Sequence, residues 1–199
     1  MKQTFLSVFF AALAAATLVG CNQDLGQYTA DDPAPVSAAV DTLIDYGHWG
    51  ALYPHQYDLH KALIYAIQDE HLARAEYQYI NSRFSSPPAF RGIVNAEAMH
   101  ISALANLFNQ QGWPLPPNTA GQYLISVRTL SEAYAVGVQA EIENIAMYNR
   151  FLSRNDLPAN WRTVFTNLRD ASVCHQNAFE RQLNGGGGGG CRGGCGGGR

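Results

Sequence analysis

The sequence has no basic surplus, few charged residues of either sign, and no apolar run long enough for a conventional transmembrane helix. Charged side chains make up 15% of the 199 residues, with 13 basic against 16 acidic groups and a net charge of −3. A chain without excess positive charge lacks the electrostatic surface that nucleic acid requires, so nucleic-acid binding is excluded. The hydrophobic fraction of 47% is sufficient for one globular core.

The N-terminus is typical of an export signal. Lys2 precedes an apolar run over 5–19 that, at about 15 residues, is too short to span a bilayer. The run ends in Leu-Val-Gly-Cys at 18–21, which resembles a bacterial lipobox, where the signal is cleaved before a cysteine that becomes lipid-modified. We expect residues 1–20 to be a lipoprotein signal peptide and Cys21 to be the lipidation site. An ordinary signal peptide with an incidental cysteine is the alternative.

This signal predicts a mature protein outside the cytoplasm, anchored by its lipid to a bacterial membrane, in the periplasm or at the cell surface. Residues 21–56 are expected to be the lipidated terminus and a linker. The segment 185–199 holds eleven of the 19 glycines, which is typical of a flexible tail, although its Cys-x3-Cys could bind a soft metal or close a small loop. Only three cysteines remain after Cys21, so at most one disulfide can form.

Proline divides the rest of the chain into four windows that contain none. Each window carries apolar residues at helical spacing and none alternates as a strand does; the windows are 57–84, 89–111, 130–154 and 159–183. Thr129-Leu-Ser-Glu132 is a capping box that predicts the start of the third helix, and Pro158 suits the first turn of the fourth. The predicted fold class is therefore all-α.

The lengths of the connections predict the topology. The links near 85–88 and 155–158 are short, so each flanking pair of helices is expected to form an antiparallel hairpin. The middle link, 112–128, can cover about 56 Å at roughly 3.3 Å per residue, more than the ~38 Å of a 25-residue helix. We therefore predict a four-helix bundle over 57–184 with one long crossover between its second and third helices, which is the ferritin-like arrangement.

Five polar residues fall on the apolar stripes of these helices: Glu70, Glu97, His100, Glu141 and His175. Counted from the two short turns, they lie at similar depth, near the middle of the bundle. An unpaired carboxylate in a core costs several kcal/mol or more, so such groups are paired, protonated or bound to metal. Glu97-Ala-Met-His100 puts a carboxylate and an imidazole on one face, a combination that suits iron, manganese or zinc. A metal site is predicted; a metal-free buried polar network is the alternative.

The two hairpins repeat a second element of this pattern. Tyr77 follows Glu70 by seven residues, and Tyr148 follows Glu141 by the same spacing. In each hairpin, the next helix carries a histidine at matching depth. Arg74 lies one turn from Glu70 and could pair with that carboxylate in place of a metal.

These residues resemble the ferritin-like superfamily of di-iron carboxylate proteins, which includes ferritins and rubrerythrins. More narrowly, the chain over roughly 57–183 resembles an uncharacterised prokaryotic family catalogued as domain of unknown function 2202 (DUF2202), in the segments Asp69-Glu-His-Leu-Ala-Arg-Ala-Glu-Tyr77, Asn95-Ala-Glu-Ala-Met-His100, Val136-Gly137 with Glu141, and Ser172-Val-Cys-His175-Gln-Asn-Ala-Phe179. The resemblance implies that one metal takes Glu70, Glu97 and His100. It implies that the other takes Glu97 as a bridge, with Glu141 and His175. Tyr77 and Tyr148 would then orient the carboxylates.

Ser172 departs from that pattern, because a symmetric di-iron site would have glutamate three residues before His175. A single bridging carboxylate, Glu97, is closer to a ferritin-like ferroxidase site than to rubrerythrin-like peroxidase chemistry. The four-cysteine rubredoxin domain of rubrerythrins has no counterpart in the sequence. Asn144, nearly one turn after Glu141, is a candidate for a weak extra ligand.

Two functions remain open at this point. The first is a di-metal oxidoreductase that oxidises Fe(II) or reduces peroxide, with iron as one or two ions, and with manganese or zinc as compatible metals. The second is a non-catalytic lipoprotein that binds or buffers metal or serves as an interaction module. The expected partners are metal ions with O2 or peroxide, and a membrane through the lipid anchor only; a homodimer is compatible with either function.

Other polar residues are predicted to have no role in the site. The histidines near the start of the first long helix, His48, His55, His60 and His71, are predicted to be polar surface residues, with a site of first metal contact as the alternative. The stretch 46–50 is predicted to be a loop, and Glu76 is expected on the solvent side of its helix. Cys174 is expected to be a small core or interface residue.

Overall fold

The computed structural model describes residues 45–53 and 56–185, and within these it contains helices and no strand. The α-helices are α1 (Gly47–Leu52), α2 (Leu59–Arg83), α3 (Pro88–Gln111), α4 (Leu130–Leu152) and α5 (Ala159–Leu183), with a 3-10 turn at Ala120–Gln122. The predicted all-α class is confirmed, and the four long helices begin and end within two residues of the predicted windows. The predicted signal peptide, Cys21, most of the linker, and all of the tail after Gly185 lie outside the described residues.

Local chemistry accounts for the starts of α4 and α5. The Thr129 hydroxyl accepts the N–H of Glu132 at 3.1 Å, as the capping box predicts. The Glu132 carboxylate accepts the N–H of Arg128 at 2.8 Å, one residue earlier than the usual reciprocal bond. Pro158 is the residue before α5 rather than a member of its first turn.

The four long helices pack in a square. Helix α2 contacts α3 and α4, and α5 contacts the same two helices, whereas α2 with α5 and α3 with α4 are diagonal pairs without close backbone contact. Short turns join α2 to α3 and α4 to α5, so each of these pairs is an antiparallel hairpin.

The connection between α3 and α4 runs the length of the square. At its beginning, Trp113 meets Trp161, near the start of α5, with ring centroids 6.0 Å apart. At its end, Tyr134 of α4 stacks on Phe90 at the start of α3, with centroids 5.2 Å apart. Helices α3 and α4 therefore begin at the same end, and residues 112–129 connect the end of α3 to the start of α4 at the opposite end.

Among the residues the structure describes, two large apolar clusters fill the interior, and a third, smaller one contains Tyr46, Leu72 and Ala120. One large cluster contains Tyr148, Phe151, Trp161 and Phe165, and the other contains Tyr77, Phe90, Tyr134 and Phe179. The hydroxyls of Tyr77 and Tyr148 bond to carboxylates of the polar layer, so each large cluster borders that layer.

Helix α1 was not predicted. The stretch 46–50, expected to be a loop, contributes to this short helix, which packs on α2 and α4. Within the described residues, no helix has both the length and the apolar character that crossing a membrane would require.

Candidate metal centre

The structure brings the five predicted polar residues together from four helices. The Glu70, Glu97 and His100 side chains form one group, and Glu97, Glu141 and His175 form another; in each group, the potential ligand atoms lie within 4.8 Å of one another. The three carboxylate residues are at most 2% exposed. These buried groups could hold metal ions.

Glu97 belongs to both groups and faces one histidine with each oxygen. Its Oε2 lies 2.9 Å from Nδ1 of His100, and its Oε1 lies 3.0 Å from Nδ1 of His175. The two imidazole rings lie nearly parallel, with centroids 5.7 Å apart. A carboxylate with this placement can bridge two ions, because each oxygen already points to a separate nitrogen ligand.

His175 has the environment of a metal-facing imidazole. Its Nδ1 lies 3.0 Å from Glu97 and 3.4 Å from Glu141, yet it makes no aligned hydrogen bond with either carboxylate. These ion pairs without hydrogen-bond alignment leave part of the desolvation cost of the nitrogen uncompensated. A cation between the nitrogen and the two carboxylates would remove that cost, so the donor set fits a metal.

Each tyrosine holds the carboxylate of the opposite hairpin. The Tyr77 hydroxyl donates to Glu141 Oε1 at 2.6 Å, and the Tyr148 hydroxyl donates to Glu70 Oε1 at 2.6 Å. This exchange gives the layer an approximate two-fold symmetry, in which α2 and α4 are equivalent. Each hydroxyl therefore gives a buried carboxylate a hydrogen-bond partner.

The charges of the layer are strongly coupled. Burial raises the pKa of Glu70, and the neighbouring charge of Glu97 raises it further. For Glu97, burial opposes ionisation, but His175 and His100 together lower the pKa. For His100, burial opposes the charged form, but Glu70 and Glu97 raise the pKa to about 10. Without metal, imidazolium groups therefore compensate the carboxylates, and metal binding would displace their protons.

Asn144 and Ser172 complete the layer by hydrogen bonding. Ser172 donates to Asn144 Oδ1 at 2.7 Å, and Asn144 Nδ2 donates to Asp69 Oδ2 at 2.8 Å and towards Glu70 Oε1 at 3.3 Å. The Asn144 oxygen is thus engaged by Ser172. The Glu70 carboxylate forms an ion pair with His100, with 3.0 Å between Oε2 and Nδ1. It forms no ion pair with Arg74.

His48 is buried, and its prediction as a surface residue is wrong. It is 5% exposed, and Asp69 Oδ1 accepts its backbone N–H at 2.9 Å and lies 2.6 Å from its Nδ1. The close contact of Asp69 with α1 requires glycine at position 47. Its φ is +52°, and an added Cβ would lie 2.7 Å from Asp69 Oδ1. On the other side of the ring, His48 Nε2 lies 2.7 Å from Glu143 Oε2. No signal in the sequence indicated this contact, because Asp69 and Glu143 lie 21 and 95 residues from His48 along the chain.

Other residues also differ from the predictions. Glu76 is 5% exposed rather than on the solvent side, and burial, followed by the charge of Asp69, raises its pKa to about 8. His60 packs against Trp113, with ring centroids 4.4 Å apart, and His71 is half-buried. Cys174 is half-buried and disulfide-bonded, and His55 lies outside the described residues.

The pairing of His48 predicts a pH dependence of stability. Burial opposes its charge, but Asp69 and then Glu143 raise the pKa from 6.5 to about 10. The folded state therefore binds a proton that the unfolded state releases between these values, so this stabilisation is complete below pH 6.5 and is lost as the pH rises through about 10. We expect the free energy of unfolding, measured with urea, to fall less steeply from pH 7 to 10 in His48→Gln than in the parent. His60→Gln is the control; equal slopes in parent and His48→Gln would contradict the expectation.

Comparison with known proteins bears on the fold alone. No protein-family model and no curated protein matches the sequence. The crystal structure of a conserved hypothetical protein, rv2844, from Mycobacterium tuberculosis is similar, with a TM-score of 0.56 and 18% sequence identity over 62% of this chain and 96% of that one. At this identity, the similarity shows a shared arrangement of helices and carries no residue roles.

Proposed function

We propose that this chain is a ferritin-like four-helix bundle, related to DUF2202, that binds two metal ions, with iron foremost. One ion would take Glu70, Glu97 and His100, and the other would take Glu97, Glu141 and His175. The position of Glu97 carries the proposal, because its two oxygens lie 2.9 Å and 3.0 Å from two different histidines. The long crossover and the diagonal placement of α3 and α4 support the ferritin-like topology.

The proposed activity is oxidation of Fe(II) or reduction of peroxide. An iron pair would supply redox chemistry with O2 or peroxide. The chain would hold the ligands in place through Tyr77 and Tyr148, and the apolar clusters on both sides would exclude water. Ser172, which donates to Asn144 where a second bridging glutamate would stand, favours ferroxidase over rubrerythrin-like peroxidase chemistry.

A second candidate is non-catalytic metal binding or buffering, or an interaction module built on the same bundle. The ion pairs of His100 with Glu70 and of His175 with Glu97 favour the interaction module, because they offset part of the carboxylate charge without a metal. The two functions share their ligands and differ in turnover.

Metal analysis followed by turnover measurements tests both functions. The protein, purified without a tag and reconstituted with Fe(II), is expected to hold two ions per chain, one for each Glu/His group. Fe(II) oxidation or peroxide consumption above that of free iron would support the oxidoreductase, and binding without turnover would support the buffer. Failure to retain Fe(II), Mn(II) or Zn(II) would refute both metal functions and leave the interaction module.

We further propose that the protein is a lipoprotein, anchored outside the cytoplasm through Cys21, on the basis of Leu-Val-Gly-Cys at 18–21. Cells given a fatty-acid analogue should label the parent chain and Cys191→Ala, whereas Cys21→Ala should lose the label. Labelling that persists in Cys21→Ala, or a mature N-terminus elsewhere, would show that the chain is not lipidated at this cysteine.

A further inference from the structure

A cavity of about 110 Å³ lies between α1, α2 and α4, beside Ile125 of the long connection. Its lining includes Glu143 and Gln139, which reach the surface, and Glu141, which belongs to the second Glu/His group. The cavity therefore connects a partly exposed carboxylate with a carboxylate of the buried layer.

The lining has the chemistry of a cation path. Glu143 is 32% exposed in its side chain, and Glu76, further in, is 5% exposed. His48, which is 5% exposed, lies beside the cavity and forms an ion pair with Glu143, with 2.7 Å between Nε2 and Oε2. The carboxylates of Asp69, Glu141 and Glu143 line the same cavity and outnumber this single cation, so they focus a negative potential that attracts divalent cations.

We propose that this cavity is the route by which a divalent cation reaches the buried layer, with the Glu143 carboxylate at its outer end and the Glu141 carboxylate at its inner end. The inference rests on the proposed metal-binding function and adds to it the path of uptake. Among the described residues, the groups close enough to chelate an ion are the two at the core, and Glu143 belongs to neither. An ion would therefore pass through the cavity rather than remain in it.

The residues at the inner end of the cavity predict the order in which the two Glu/His groups bind metal. Glu141 lines the cavity, whereas Glu70 is reached only beyond Asn144, whose amide donates towards it at 3.3 Å. An incoming cation thus meets Glu141 first, and the group containing His175 should fill before the group containing His100.

Co(II) uptake by the full chain in a stopped-flow instrument tests the route. Glu143→Gln removes the outer charge, and Ala73→Leu narrows the cavity that Ala73 lines. Glu180→Gln is the matched control for the first, because Glu180 accepts from Gln176 at 2.8 Å just as Glu143 accepts from Gln139 at 2.9 Å. Ala135→Leu, at an exposed position of α4, is the control for the second.

Both cavity variants should take up Co(II) at least about tenfold more slowly than the parent at low salt and bind the same final amount. The two controls should match the parent. If the parent binds Co(II) and both cavity variants take it up at the parent rate, the proposed route is wrong, but the metal site itself is not contradicted. A parent chain that binds no Co(II) would refute the metal site itself.

Discussion

Replacing Glu97 with glutamine is expected to abolish the binding of two metal ions per chain while leaving the helices folded. Glu97 lies in both Glu/His groups, so its loss affects both ions, whereas loss of Glu70 or His100 affects one. Glutamine has nearly the same shape, but its amide nitrogen carries no lone pair for a metal and no negative charge. Metal content after reconstitution with Fe(II) measures the loss, and far-ultraviolet circular dichroism reports the helices.

Glu180→Gln is the appropriate control for this experiment. Among the contacts described, the Glu180 side chain bonds only to Gln176 of the same helix, at 2.8 Å. Glu76→Gln is unsuitable, since Glu76 is 5% exposed and lines the cavity beside Glu141. If Glu97→Gln holds as much metal as the parent, the layer is a structural network, and the oxidoreductase hypothesis should be abandoned.

The long helices could be predicted because their limits are set locally. Proline prevents helix continuation, and Thr129 provides the cap that starts α4 at Leu130. The length of the segment between α3 and α4 could be read from the sequence, and it is long enough to span the domain. The five polar residues could be placed at one level because antiparallel helices joined by a short turn have a fixed relation in depth.

The surroundings of the site could not be predicted, because they depend on which segment covers each helix face. Periodicity places Glu76 away from the core stripe, but α1 and Ile125 cover that face and bury it. His48 is ordered by its contacts with Asp69 and Glu143, which are 21 and 95 residues away in the sequence. A six-residue helix has no stable pattern of its own, so tertiary contacts must hold α1 in place.

The largest effect on stability is expected at Phe179. Its side chain is 0% exposed, and its ring centroid lies 4.5 Å from that of Phe90 and 5.3 Å from that of Tyr77. The opposing residue is Gly137, where a Cβ would lie 2.8 Å from the Phe179 ring, so this position of α4 has no side chain to fill the space that a truncation leaves. Phe179→Ala should therefore lower the free energy of unfolding by about 3–5 kcal/mol, measured by urea titration.

The same substitution should also weaken metal binding by the second Glu/His group, which contains Glu97, Glu141 and His175. Tyr77 packs on Phe179 and donates to Glu141 at 2.6 Å, so a loosened Tyr77 no longer holds that carboxylate in place. Val173→Ala, at a residue of the same helix that is 40% exposed, is the control and should change stability by less than about 0.5 kcal/mol. A loss below about 1 kcal/mol in Phe179→Ala would mean that neighbouring rings collapse into the space, and that the aromatic cluster does not fix Tyr77.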